Sequence, residues 1–142
     1  MAVTRPSLKL THAAALTALQ AAVAKAEAIG WQVNIVIVDE SGVLLAAIRM
    51  DGAKFLSLTT ATNKAKSAAS HRRPTTEIGG DLAMSLALAS DGQLTNMAGG
   101  LPIVIDGICV GGIGIGSAPD DEDIAIARAG LAAIGAAERM PD

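Results

Sequence analysis

The chain carries two histidines, His12 and His71, and each falls where a helix is expected to begin or end. His12 extends the stripe Leu16, Leu19, Val23 at steps of four, three and four, which places it on the buried face of a first helix near the positive end of its dipole. Burial and dipole both favour neutral imidazole, the form that ligates iron. The competing expectation is a core or interface histidine with its nitrogens hydrogen-bonded.

His71, Arg72 and Arg73 precede Pro74, where a second helix must stop. Two guanidiniums offer planar, bidentate donors for a carboxylate, and they serve equally to cap the last helical carbonyls. Lys64 shares a polar face with Thr60, Ser67 and His71; that face is either a site wall or simply solvated. Arg49 and Asp51 stand beside Gly52 at a strand end, fit to hold a ligand or to close a turn. The amides of Gly99 and Gly100 suit an anion or a close backbone approach.

Three patterns are set aside. Gly111-Gly112-Ile113-Gly114-Ile115-Gly116 lacks the glycine that a dinucleotide fingerprint requires at Ser117, and it lies within a strand. Asp120-Asp121-Glu122-Asp123 reads as capping and dipole compensation at a helix start, without the spacing of a calcium loop, so no metal site is assigned. Cys109, the single cysteine, sits in an apolar run and reads as a buried, inert thiol.

The elements that must position these residues follow from periodicity and turn chemistry. Thr11 to Ile29 forms a helix that buries Leu16, Leu19, Val23 and Ala26 and ends at Gly30. Gln32 to Asp39 and Val43 to Met50 form a hairpin around Glu40-Ser41-Gly42. Phe55 to Ser70 is a second helix with the stripe Leu58, Ala61, Ala65, Ala68, and shorter helical pieces fill Thr75 to Ser90. After a loop from Gly92 to Leu101, Pro102 to Ile105 and Ile108 to Ile115 make a second hairpin about Asp106-Gly107. A last helix opens near Asp120 and buries Ile124, Ala127, Leu131 and Ile134. This order, with no strand-helix-strand alternation, gives an α+β fold: one antiparallel sheet with helices packed on it, as a single domain over residues 1–142.

Composition narrows the function classes. The chain is 51% hydrophobic but 1% aromatic, with mean hydropathy +0.44, so Ala, Val, Ile and Leu fill the core and homo-oligomerisation is expected to cover the excess apolar surface. A net charge of −3 gives no reason to approach nucleic acid. Met1 to Leu10 lacks the apolar run of a secretory signal and no segment reads as a membrane span, so a cytoplasmic protein is expected.

Several motifs, in order and spacing, carry a likeness: Val36-Ile37-Val38-Asp39-Glu40-Ser41-Gly42, Arg49-Met50-Asp51-Gly52-Ala53, Lys64-Ala65-Lys66-Ser67-Ala68, Arg72-Arg73-Pro74-Thr75, Gly99-Gly100-Leu101-Pro102-Ile103 and Val110 to Gly116. The chain resembles the GlcG/HbpS-like family over nearly its whole length. The resemblance implies a profilin-like layered fold, with a sheet of five or so antiparallel strands, often assembled as an octamer. It also implies either haem binding or a place in catabolism of glycols, organic acids or aromatic compounds. The leading expectation is therefore a small-ligand-binding protein that takes haem or a related cofactor, with His12 on the cofactor. Arg49, Asp51, Lys64, Arg72, Arg73, Gly99 and Gly100 would contact the ligand. The alternative is a catabolic isomerase, lyase or hydrolytic enzyme acting on a carboxylated small molecule, with His71, Glu77 or Asp51 moving protons. A non-catalytic assembly module is the third possibility.

Overall fold

A computed structural model describes all 142 residues. Helix α1 (His12–Ile29) opens at Thr11, whose hydroxyl accepts from the Ala14 amide at 3.1 Å, and closes on Gly30 at φ 81°. The hairpin β1 (Asn34–Asp39) and β2 (Leu44–Arg49) follows, then α2 (Ser57–His71), a 3₁₀ turn at Thr75–Glu77 and α3 (Leu82–Ala89). A second hairpin, β3 (Gly100–Ile105) and β4 (Ile108–Gly116), leads into α4 (Asp120–Ala133). Its turn residues Asp106 and Gly107 have φ of 51° and 75°, the pair of left-handed conformations that a two-residue hairpin turn demands.

The two hairpins join through β1 and β4 into one antiparallel sheet of order β2-β1-β4-β3. The sheet has four strands rather than five, because no segment outside the two hairpins extends far enough to add another. β3 also starts earlier than expected, since Gly100 already pairs with Gly114. No helix is long and apolar enough to cross a membrane.

Strand alternation divides the core into two layers. Ile35, Ile37, Ile113 and Ile115 face α1 and α4, while Val36 and Val38 face Ala61, Ala65 and Ala69 of α2. α1 buries Ala15, Ala18, Leu19, Ala22 and Ala26, so Leu19 and Ala26 of the expected stripe lie in the core, Val23 at its margin and Leu16, 49% exposed, outside it, and the contact face is made chiefly of alanines. α4 likewise buries Ile126, Ala127, Gly130 and Leu131, leaving Ile124 and Ile134 at the margin. Small residues win these positions because the helices lie close: a Cβ at Gly130 would sit 2.9 Å from Ile113 Cδ1.

The closest approach is on the other face. A Cβ placed on Gly112 would lie 2.2 Å from the Ala65 carbonyl oxygen, and one on Gly114 only 2.0 Å from that of Ala61. The alternate glycines of β4 therefore seat the backbone of α2, leaving room there for neither a ligand nor a neighbouring subunit. Gly114→Ala must push α2 off the sheet, with an expected loss of about 3 kcal/mol or failure to fold. Gly79→Ala meets nothing within 4 Å and should stay within about 0.5 kcal/mol of the parent in urea unfolding.

Candidate functional site

The turn between β1 and β2, the second half of α2 and the loop after α3 enclose a groove of about 680 Å³, lined chiefly by polar residues, among them Glu40, Ser41, Lys66, Ser70, Arg72 and Gln93. Asp39 shapes the first wall: its Oδ1 accepts from the amides of Ser41 (2.8 Å) and Val43 (3.0 Å), an Asx turn that presents Glu40 and Ser41. The loop wall is tied to α2 by Asn63 Nδ2 donating to Gly92 O (3.2 Å) and by Ser67 Oγ, which accepts from the Thr95 amide (3.0 Å). A second groove of about 660 Å³ adjoins it, sharing Glu40, Ser41, Ala69 and Arg72 and adding Arg5, Leu8, Ile108 and Cys109.

Arg72 is common to both grooves. It occupies the C-cap of α2 in the left-handed region (φ 56°), where glycine is the usual residue. Cys109 is half-buried in the second groove rather than enclosed in the core, with Sγ 3.4 Å from Gly111 O, and desolvation pushes its thiol up. Such a thiol is a poor nucleophile at neutral pH. His71, one residue before Arg72, has its Nδ1 enclosed without a hydrogen-bond partner.

A third, smaller groove of about 290 Å³ lies by the start of α1 and is mainly apolar, with Leu8, Leu10, Ile105, Val110 and Ile134 in its walls beside Thr11 and Ala14. His12 follows Thr11 in sequence but is exposed and does not line this groove, which corrects the expected burial. The helical stripe does point through this position, yet His12 is the first residue of α1 and stands beyond the edge of the core.

The remaining candidates are dispersed. Arg49 is exposed and pairs across the sheet with Asn34, at the end of β1 away from Asp39 and Glu40. Five residues of strand, about 17 Å, separate it from the Arg72 end. Asp51 is exposed in the turn that follows β2. Arg73 lines neither of the grooves that Arg72 shares. Glu77 is ion-paired with Arg139, whose guanidinium holds its carboxyl below the usual range and so keeps it ionised rather than ready to donate a proton.

Lys64 departs furthest from expectation. It is neither solvated nor a groove wall but 2% exposed, with Nζ donating to Ile115 O (2.7 Å) and to Asp123 Oδ2 (3.3 Å). Asp123 is equally buried, and its Oδ1 accepts from the Ala118 amide at 2.8 Å. The last member of the acidic run at the start of α4 thus turns inward and fixes that helix to α2. Gly99 and Gly100 belong to the same cluster: a Cβ on Gly99 would lie 3.3 Å from Lys64 Nζ, and the Gly100 amide already donates to Thr75 Oγ1 at 3.1 Å. The chain itself fills the cradle that these glycines were expected to offer an anion.

Desolvation raises the Asp123 carboxyl, against the opposing pull of the Ala118 amide and Lys64. A folded value above the unfolded one means that the native state holds this proton more tightly. Its contribution is complete below the unfolded carboxylate value of ~3.9 and is lost as pH rises through the raised folded value. Asp123→Asn should flatten that part of the stability-versus-pH curve. Lys64→Met, which strands a buried carboxylate, should cost about 3–5 kcal/mol in denaturant unfolding at neutral pH, with much of it recovered in the Lys64→Met, Asp123→Asn double variant.

Comparison with known proteins agrees with this architecture. A protein of unassigned role encoded between dhaT and dhaS in Citrobacter freundii is 32% identical over 127 residues, covering 86% of this chain and 89% of its own length. The crystal structure of HbpS superposes with a TM-score of 0.84 at 39% identity, over 94% of this chain and 95% of HbpS. That of the PduOC:heme complex does so at 0.87 and 27% identity, over 94% and 100%. The sequence pattern described as "Haem degrading protein HbpS-like" matches residues 10–132, from the cap of α1 to the last turn of α4. Since the match spans every element of the two-layered sheet, the chain belongs to the HbpS-like family.

Proposed function

We propose that the protein binds haem, with His12 as the protein ligand to its iron. The observation that carries this reading is an apolar groove at the start of α1, walled by Leu8, Leu10, Ile105, Val110 and Ile134, with the exposed His12 next in sequence to its lining residue Thr11. A porphyrin asks for an apolar surface with an accessible nitrogen beside it, and these residues fit that demand. Haem supplies a redox-active iron when bound; the chain supplies the ligand and the apolar shelf. Membership of the family and the likeness to a haem-bound structure support the same reading.

The alternative, a catabolic enzyme acting on a carboxylated molecule through Arg49, Asp51, His71, Arg72, Arg73 and Glu77, loses force because these residues do not converge. A tie to a catabolic pathway and a cytoplasmic place are part of the proposal. Titration with hemin should give a saturable, shifted Soret band, and His12→Ala should change that spectrum while His71→Ala leaves it intact. If His71→Ala alone alters the band, the iron is bound at the end of α2. Absence of saturable uptake by the parent protein would end the haem reading.

We also infer self-assembly into a homo-oligomer, the octamer being the form implied by the resemblance. α3 buries none of its residues, and Leu82, Met84 and Leu88 are 63%, 69% and 75% exposed. An apolar helix left open in this way calls for a cover, and light scattering at micromolar concentration should report a multimer. A monomer with native circular dichroism is the contrary result.

A further inference from the structure

We infer that the polar groove between the β1–β2 turn, α2 and the loop after α3 binds a small hydroxycarboxylate, held through Arg72 and Lys66. The inference is independent of the haem reading, which concerns the groove at the start of α1.

Charge is the first argument. The chain forms four ion pairs, Lys9–Glu40, Lys64–Asp123, Arg128–Glu138 and Arg139–Glu77, and neither groove cation takes part in any of them. Arg72 makes no side-chain hydrogen bond, and Lys66 donates only to the neutral Gln93 Oε1 at 3.2 Å. The one acid in the lining, Glu40, is already paired with Lys9. The groove therefore presents two uncompensated cations to whatever enters it, and the planar fork of arginine matches a carboxylate in two parallel hydrogen bonds.

Backbone conformation is the second. A helix that ends in the left-handed region does so at lowest cost with glycine, and an arginine there holds the chain in a sparsely populated conformation. Arg72 contributes no contact that would offset this within the chain, so the strain is retained for a side chain directed to something outside it.

The rest of the lining selects the ligand. Ser41 and Ser70 have hydroxyls engaged in no hydrogen bond within the chain, and Glu40 has its Oε2 without a partner. With Lys9 on its Oε1, Glu40 adds little net charge to the wall, and the free hydroxyls of Ser41 and Ser70 can both donate to and accept from a ligand hydroxyl. A monoanion with a hydroxyl near its carboxyl satisfies both cations and the hydroxyl-bearing wall.

Isothermal titration of the full chain with L-lactate tests this, with acetate, propane-1,2-diol and inorganic phosphate as comparison ligands. Lactate should bind saturably, at least about fivefold more tightly than acetate, with the diol and phosphate weaker still. Arg72→Gly should weaken lactate by about tenfold or more while leaving the melting temperature unchanged or raised, because glycine relieves the left-handed strain. Lys66→Gln should weaken binding with native circular dichroism. The proposal is overturned if lactate gives no saturable heat, if acetate or phosphate binds as well as lactate, or if Arg72→Gly binds lactate like the parent.

Discussion

The contact between the backbone of α2 and the glycines of β4 is the constraint on which the rest of the structure depends. With no side chains between them, helix and strand approach to distances that a single methyl group would forbid. Dispersion and burial are then contributed by backbone atoms and alanine methyls rather than by large side chains. That arrangement explains how a chain with one Phe, one Trp and no Tyr builds two core layers. It also fixes the azimuth of α2, since only a face of Ala61, Ala65 and Ala69 fits the glycine seat.

Once α2 is set this deep, its flanking residues have little freedom. Lys64 is carried below the surface, where a solitary ammonium would be costly, and Asp123 and the Ile115 carbonyl meet it there. From mid-helix toward its C-terminal end, Lys66 and Arg72 emerge into the polar groove. One helix thus provides a structural cation buried against the sheet and two further cations open to a visitor, within three turns of each other. Burial and partners, rather than residue type, separate these roles.

Much of the fold was legible in the sequence because its punctuation is local. Asp106-Gly107 and Glu40-Ser41-Gly42 announce the hairpins, and Gly30 and Pro74 bound the first two helices. Facing directions were less legible. Periodicity gave the right helices but favoured leucines over alanines, because a stripe weighted by size assumes a roomy core, and this one is tight. The pattern around Lys64 leaves only a site wall or a solvated face in view for a related reason: α2 touches the sheet over a broader arc than a single stripe. The signal that was present was the inward-turning Asp123, hidden in an acidic run that capping and the helix dipole already explained. Arg72 is legible as a cation at a helix end, but its left-handed conformation is not, since the C-cap position holds no glycine to mark it.

The seam between β1 and β4 sets the order in which these pieces come together. Each hairpin closes through neighbours a few residues apart, whereas the seam joins residues 34–39 to residues 111–116 across most of the chain. α2 lies between them in sequence yet packs on strands of both hairpins, so its seat does not exist until the seam has formed. Loop closure over such a span is slow compared with hairpin or helix formation. The nascent chain therefore holds a helix with an alanine face and nowhere to place it until its last third has been made, and contact order rather than helix propensity governs its rate of folding.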